Sequence, residues 1–289
     1  LSSDSRKIEQ GFVFFALSGT QVDGHRFIES AIKSGAIAII CSKKDIEVPD
    51  DVSLFYADNG HKAYALAAAN LFERPAEKLK IIGITGTNGK TTTATLLSNL
   101  FNSCGIKSGL LSTVRYKIAD EEFPATHTTP DAFRLQELLA LMVEKECEYC
   151  FMEVSSHALV QERTTGIEFF GAVFSNITQD HLDYHKTFKD YIKAKQILFD
   201  GLNQNAFALY NADDANGHIM VQNSKAKKYS YALKKPADFK SKIIENHVSG
   251  LALNVDGTET WFKLPGRFNA YNLTAVYSTA VLCGLDKHE

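Results

Sequence analysis

A buried strand that runs straight into a glycine turn and then into a helix leaves a chain few folds to choose from. Residues Ile81-Ile82-Gly83-Ile84-Thr85-Gly86-Thr87-Asn88-Gly89-Lys90-Thr91-Thr92-Thr93 have that order. Backbone N–H groups in such a turn, together with the helix N-terminus, form a concave site for phosphate oxygens. Gly86, Thr87, Asn88, Gly89 and Thr92 shape that cradle. Lys90 is placed to neutralise β/γ-phosphate charge, and the Thr91 hydroxyl to ligate Mg²⁺. The usual phosphate-loop spacing has a glycine five residues before Gly89. That position is Ile84, so this is a G-T-N-G-K-T variant. The plain alternative is a glycine turn in an ordinary strand–helix unit, but strand, lysine, threonines and helix all agree on phosphate.

Strands and helices alternate on both sides of this loop. Phe12 to Leu17 reads as a buried strand, Arg26 to Ser34 as a helix and Ala36 to Cys41 as a second strand. A helical stretch from Gly60 to Phe72 leads into Glu73-Arg74-Pro75-Ala76-Glu77-Lys78, a charged, proline-bearing linker. After it come strand Ile81 to Thr85, helix Lys90 to Cys104, strand Leu110 to Val114 and helix Ala132 to Lys145. Tyr149 to Val154, Ala172 to Asn176 and Ala206 to Asn211 are further strands, and Thr187 to Phe199 is an amphipathic helix. Between Asp238 and Leu264 the pattern alternates, with a turn at Asp256-Gly257 that predicts a β-hairpin. A last helix, Asn269 to Cys283, ends at Gly284. The expected fold class is α/β: a small N-terminal α/β domain (1–76), then a phosphate-loop, mostly parallel-sheet ATPase domain with a hairpin extension (77–289). At ~150 residues per domain, the 289 residues suit two domains.

Composition removes several function classes. The 31 basic and 34 acidic residues give a net charge of −3, so no general attraction to nucleic acid is expected. No apolar run approaches the ~20 residues of a membrane helix. The five cysteines are odd in number and thinly spread, which suits a reducing cytoplasm and not a disulfide framework. Cys147 and Cys150 have CxxC spacing without a second pair, and core packing is the expected role. The chain opens at Leu1, so its natural first residues are expected to be missing or removed.

Three further clusters carry chemistry. Glu153 ends a buried strand, where ligands sit in open α/β sheets, and suits Mg²⁺ near the phosphates; it could equally cap the following helix. Asp180-His181-Leu182-Asp183-Tyr184-His185 holds four potential ligands in six residues. A Mg²⁺ or Mn²⁺ ligand is better motivated than zinc, with helix capping the plain alternative. Lys195 shares the apolar face of its helix with Phe188, Ile192, Leu198 and Phe199. It either snorkels at the rim or loses its charge, and a neutral amine can take up CO₂ as a carbamate.

Together these motifs resemble the Mur ligase family of peptidoglycan synthesis. The G-T-N-G-K-T loop sets the superfamily shared with folylpolyglutamate ligases. Asp4-Ser5-Arg6, Thr20-Gln21-Val22-Asp23-Gly24, Thr128-Thr129-Pro130-Asp131, Glu153-Val154-Ser155-Ser156-His157 with Gln161 and Arg163, Asp180 to His185, and Gly266-Arg267-Phe268-Asn269-Ala270-Tyr271-Asn272 point to the branch that adds the third amino acid of the stem peptide. The resemblance implies a cytoplasmic, monomeric, ADP-forming ligase. It would join meso-diaminopimelate or L-lysine to UDP-MurNAc-L-Ala-D-Glu through an acyl phosphate.

It also assigns residues. Lys90 and Thr91 would handle ATP phosphates and Mg²⁺, Glu153 and His181 would be Mg²⁺ ligands, and a carbamylated Lys195 would hold a second Mg²⁺. Asn269 and Asn272 would lie near the adenine. Ser5, Thr20 and Gln21 would contact the UDP part, and Thr128, Thr129, Ser155, Gln161 and Arg163 the muramoyl-dipeptide. Family members carry a third domain that binds the amino acid, so this chain reads as the first two domains of a longer protein, inactive alone. The competing readings are the MurF and MurC branches, a folylpolyglutamate ligase relative, and a nucleotide-binding module without ligase activity.

Overall fold

The structure is a computed structural model that describes residues 1–19, 22–125, 127–180 and 182–287. In the first part of the chain, β1 (Phe12–Phe15), α1 (Ile28–Lys33), β2 (Ala36–Cys41), β3 (Ser53–Tyr56) and α2 (Gly60–Leu71) build a three-stranded parallel sheet, ordered β1-β2-β3. One face is packed by α1 through Ile28 and Ala31 against Phe14 and Ile39. The other face carries Phe15 against Tyr64 and Ala65 of α2.

The second part contains, in chain order, β4 (Lys80–Thr85), α3 (Lys90–Ser103), β5 (Ser108–Leu111), β6 (Arg115–Ile118), β7 (Glu121–Pro124), α4 (Ala132–Glu144), β8 (Tyr149–Glu153), α5 (Ser156–Val160), β9 (Gly171–Phe174), α6 (Leu182–His185), α7 (Phe188–Asp200), β10 (Phe207–Asn211), α8 (Gly217–Val221), β11 (Lys227–Ala232), β12 (Phe239–His247), β13 (Gly250–Val255), β14 (Thr258–Phe262) and α9 (Arg267–Leu282). Its strands form one eleven-stranded sheet, ordered β14-β13-β12-β11-β10-β9-β4-β8-β5-β6-β7. From β12 to β5 all neighbours are parallel; β13, β14, β6 and β7 pair antiparallel at the two edges.

Such a sheet needs cover on both faces, and β4 shows how the sequence provides it. Ile81 joins the layer containing α4 and α7, through Leu135, Leu138, Leu198 and Phe199. Ile82 and Ile84 face α3 and α9, through Leu97, Phe101, Ala275 and Val276. Asp131 starts α4 by accepting from the backbone N–H of Phe133 and Arg134. Phe133 then meets Phe72 edge-on at 5.2 Å, so α4 also docks the small sheet's helix.

Several elements differ from the sequence expectations. The stretch from Asp238 to Leu264 is a three-stranded meander, with the Asp256-Gly257 turn joining its last two strands. The linker is folded: Pro75–Lys78 form a 3₁₀ turn with Pro75 and Ala76 buried, entered through positive φ at Glu73 and Arg74. β3, the β6–β7 hairpin, α8 and β11 were not expected from the sequence pattern.

Phe101 is fully buried and meets Tyr149 and Phe151 at ring distances of 4.7 and 4.9 Å. Phe101→Ala should therefore cost about 3–5 kcal/mol in urea unfolding, whereas truncating the exposed Val248 should change stability by about 0.5 kcal/mol at most.

Candidate functional site

β4 lies between β8 and β9, and the chain leaves it in one direction toward β5 and later in the other toward β10. A crevice therefore opens at the carboxyl ends of these strands, the place where open α/β sheets take ligands. The phosphate loop fills it. Gly86 and Gly89 have φ of +146° and +87°, which side chains rarely adopt. Space is short as well: a Cβ on Gly86 would collide with Ser175 Oγ, and one on Gly89 with Asn272 Oδ1.

The loop is fastened to its surroundings. Ser175 Oγ and Asn176 Nδ2 donate to the Asn88 carbonyl at 2.6 and 3.0 Å, and the Asn88 N–H donates to Asn176 Oδ1 at 3.0 Å. Thr87 Oγ1 accepts from the Thr178 N–H at 3.0 Å and lies 3.3 Å from the Tyr191 hydroxyl. Thr91 and Thr92 stand half-buried in the first turn of α3.

Two lysines converge on this loop. Lys90 Nζ donates to the carbonyls of Gly86 at 3.0 Å and Thr87 at 2.9 Å. Lys195 Nζ, from α7, donates to the same Gly86 carbonyl at 3.0 Å and lies 4.6 Å above the Tyr191 ring. Lys195 is only 2% exposed, so it does not snorkel at a rim. Burial, then the neighbouring Lys90 charge, push its pKa down to about 7, against a smaller opposing pull from Asp180. Burial also lowers Lys90, opposed by the carboxylates of Glu153 and Asp180.

Glu153 is wholly buried at the end of β8. A buried carboxylate needs donors, and Thr113 supplies both: its N–H to Oε1 at 2.8 Å and its hydroxyl to Oε2 at 3.1 Å. Glu153 does not cap the next helix; Ser155 does, its hydroxyl accepting from the Ala158 N–H. Thr129 bridges the two residues, donating to the Glu153 carbonyl at 2.8 Å and accepting from the Ser155 N–H at 3.1 Å. Thr128 Oγ1 lies 3.1 Å from the Thr113 hydroxyl oxygen. Arg163 donates to the Thr129 carbonyl at 2.8 Å and through Nε and Nη2 to Gln161 Oε1, and Gln161 Nε2 donates to the Tyr184 hydroxyl at 3.3 Å. Thr128, Thr129, Ser155, Gln161 and Arg163 thus form one hydrogen-bonded wall beside Glu153.

Asn269 and Asn272 are buried on α9 and joined by an amide hydrogen bond of 3.1 Å, with Asn272 against Gly89. Ser5 lies elsewhere, in the 3₁₀ turn Ser5–Lys7 beside the small sheet. Thr20, Gln21 and His181 fall outside the described residues. All five cysteines are free thiols, and Cys147 and Cys150 are buried.

Sequence reasoning missed Thr113 and Tyr191. Tyr191 had a signal, one turn before Lys195 on the same helix face. Thr113 had none; it lies in the loop between β5 and β6.

Mg²⁺ can be tested against this donor set. Among the described residues, no three His, Cys, Asp or Glu side chains form a ready-made metal cluster. The oxygen donors at hand are Thr91 and Glu153, whose carboxylate keeps lone pairs beyond the two that Thr113 uses. Hard oxygens with phosphate and water suit Mg²⁺. The Lys90 charge beside the same carbonyl also leaves positive charge that an anion would offset. The residues fit a site for Mg²⁺ with phosphate.

The comparisons with known proteins agree with this geometry. Residues 84–280 match the Mur ligase middle domain, and residues 1–83 match the Mur ligase family catalytic domain. This chain belongs to the Mur ligase family. Among its relatives, the UDP-N-acetylmuramoyl-L-alanyl-D-glutamate–2,6-diaminopimelate ligase of Cytophaga hutchinsonii is 54% identical, over 99% of this chain and 59% of that protein. The ligase of the same name from Bacteroides fragilis is 46% identical, over 97% and 58%. A solved structure of a ligase with this name aligns with a TM-score of 0.83 at 28% identity, covering 99% of this chain and 60% of its own. MurF from Thermotoga maritima in complex with ADP shares the fold, with a TM-score of 0.66 at 19% identity over 99% and 63%. This Mur ligase chain thus spans about three fifths of the length of the relatives it matches. No helix among its described residues is long and apolar enough to cross a membrane.

The depressed Lys195 pKa makes a stability prediction. Between about pH 7 and the ordinary lysine value of 10.5, the unfolded chain holds a proton at this site that the folded chain lacks. Stability should therefore rise with pH across that window, and the full burial penalty applies below it. Lys195→Met should flatten the rise and stabilise the fold at pH 6.5 by a few kcal/mol, on the order of ~1.4 per pKa unit. Urea titrations of both proteins at pH 6.5 and 9.5 measure this; identical slopes would contradict a buried neutral amine.

Proposed function

We propose that this chain supplies the nucleotide and acceptor sites of an ATP-dependent ligase that extends UDP-MurNAc-L-Ala-D-Glu by one amino acid. The relatives' names favour 2,6-diaminopimelate as that amino acid. The observation that carries the reading is the convergence of Lys90 and Lys195 on the Gly86 carbonyl, beside buried Glu153. It puts cationic charge, a metal-suited carboxylate and a wall of peptide-sized hydrogen-bonding groups at the mouth of one phosphate loop.

The reaction joins a carboxylate to an amine, and a free carboxylate is a poor electrophile. The D-Glu side-chain carboxylate attacks the γ-phosphorus of ATP, ADP leaves, and an acyl phosphate forms. The amine then attacks the acyl carbon and forms the C–N bond, the acyl C–O bond breaks with its electron pair going to the departing phosphate, and the nitrogen gives up a proton. Two anions must approach in the first step. The loop N–H groups and Lys90 offset that repulsion.

Mg²⁺, when bound through Thr91 and Glu153, adds charge neutralisation across the phosphate oxygens. His181 is proposed as a further ligand, and Lys195, as its carbamate, as the ligand of a second ion. The burial that favours the neutral amine of Lys195 also favours its reaction with CO₂. Thr128, Thr129, Ser155, Gln161 and Arg163 are proposed to seat the muramoyl-dipeptide. Residues 1–76, with Ser5, Thr20 and Gln21, would hold the UDP part, and Asn269 and Asn272 the adenine end of ATP within 77–289. No protein nucleophile is required.

Lys90→Ala should weaken ATP by about tenfold or more in calorimetry, and ADP less, because the lost charge faces the β/γ-phosphates. Unchanged ATP affinity would remove the phosphate-loop assignment. In the whole-length ligase, Lys195→Ala should abolish acyl-phosphate formation while the fold persists, with partial rescue by acetate. Carbon-13 NMR in labelled bicarbonate should show a carbamate on the parent protein. An unmodified ammonium with substrates and Mg²⁺ bound would rule that role out.

A further inference from the structure

α2 reaches from the small sheet toward the large one and is fastened at both ends. At its C-terminal end Phe72 lies against Phe133 of α4, with ring centroids 5.2 Å apart. At its N-terminal end the cap residue, Asn59, faces two ways. Asn59 Oδ1 accepts from the Lys62 N–H at 3.0 Å and so starts the helix. Asn59 Nδ2 donates to Glu162 Oε1 at 3.4 Å, 103 residues further along the chain.

Glu162 stands where a helix ordinarily ends on glycine. After α5 the Glu162 N–H donates to the Leu159 carbonyl at 3.1 Å and the Arg163 N–H to the Ala158 carbonyl at 2.9 Å. That ending needs a left-handed residue, and Glu162 has φ of +55°. A side chain is strained there, yet this one makes contacts that glycine could not: it accepts from Asn59 and from the Thr165 hydroxyl. Further along, Gly166 has φ of +86° and lies so close to α2 that a Cβ would meet Ala69 Cβ at 3.3 Å and Leu66 Cδ2 at 3.6 Å. Asn59, Leu66 and Ala69 follow one another at helical spacing, so the loop 161–167 runs along one stripe of α2.

The same loop carries Gln161 and Arg163 of the wall beside Glu153, with Glu162 between them. The same helix turn also reaches the small sheet, where His61 Nε2 donates to the Ser18 carbonyl at 3.1 Å. Ser18 opens the stretch Ser18 to Gly24, which contains Thr20 and Gln21. The start of α2 therefore joins the wall to the small sheet's loop. We propose that Glu162 is a positioning residue: through Asn59 it sets the spacing between the wall and that loop, so that both ends of one UDP-MurNAc-dipeptide are held at once. The proposal rests on the reading of these two regions as the dipeptide and UDP sites. Linked sites strengthen each other only when their spacing matches the ligand that joins them.

Calorimetry on this chain with UDP-MurNAc-L-Ala-D-Glu and with UDP tests it. Asn59→Asp keeps the cap, because a carboxylate also accepts from the Lys62 N–H, but sets a second negative charge against Glu162. It should weaken UDP-MurNAc-L-Ala-D-Glu about fivefold and leave UDP as in the parent. Glu162→Ala should lose a similar factor, whereas Glu162→Gln, which can still accept, should keep most of the affinity. Adding Glu162→Lys to Asn59→Asp should restore binding by pairing opposite charges. If Asn59→Asp and Glu162→Ala both bind UDP-MurNAc-L-Ala-D-Glu like the parent, the positioning role is overturned while the substrate reading stands. An equal loss for UDP alone, or a double variant no better than Asn59→Asp, would also overturn it, because the changes would then only disturb the helix start. A parent chain that binds UDP-MurNAc-L-Ala-D-Glu no better than UDP would overturn both the positioning role and the two-site reading beneath it.

Discussion

One backbone oxygen organises this molecule. The Gly86 carbonyl accepts from two lysines, one at the start of α3 and one from the middle of α7. These helices lie on opposite faces of the large sheet, α3 in the layer with α9 and α7 in the layer with α4. The carbonyl is therefore where the two layers meet electrostatically. Two ammonium charges so close in a dry setting would repel each other, and burial together with that repulsion turns Lys195 toward its neutral amine. The sheet, its switch in strand order at β4 and the tight glycine loop together hold the two amines on this one oxygen.

The acidic side of the site has the opposite logic. Among the described residues Glu153 has no direct ion pair, and it is held by the N–H and hydroxyl of one residue, Thr113. Neutral donors keep the carboxylate in place without cancelling its charge. Its attraction for Lys90 is still felt. The wall from Thr128 to Arg163 hangs from the same strand end through Thr129, so the wall and the buried carboxylate share one rigid origin.

The loop and its flanking elements were legible in the sequence because each local signal agreed. Apolar residues fill β4, glycines sit where φ is positive, and a lysine opens the helix. Helix periodicity put Lys195 on the apolar face but left a snorkelling lysine at the rim as the plainer reading; its burial and its partner were not legible, since Gly86 lies 109 residues away in the chain. β3 escaped because all four of its residues are exposed and show no alternation. β6 and β7 escaped because they are four residues each and rich in charge, with only Tyr116 and Ile118 buried. The meander was read as a hairpin because most of β12 is exposed and its pattern is weak. Thr113 shows the limit of such reading: a loop hydroxyl gains its role only when the fold brings a carboxylate to it.

The contact between Asn272 and Gly89 has a consequence for how the protein is made. The loop is encoded early and its strand and helix can form early, but one wall of it belongs to α9, the last helix of the chain. During synthesis, the ribosome must add more than 180 residues after Gly89 before that wall exists. A nascent chain that already has its small sheet and most of its large one still carries an open-sided phosphate loop. That wall forms only once α9 has been made.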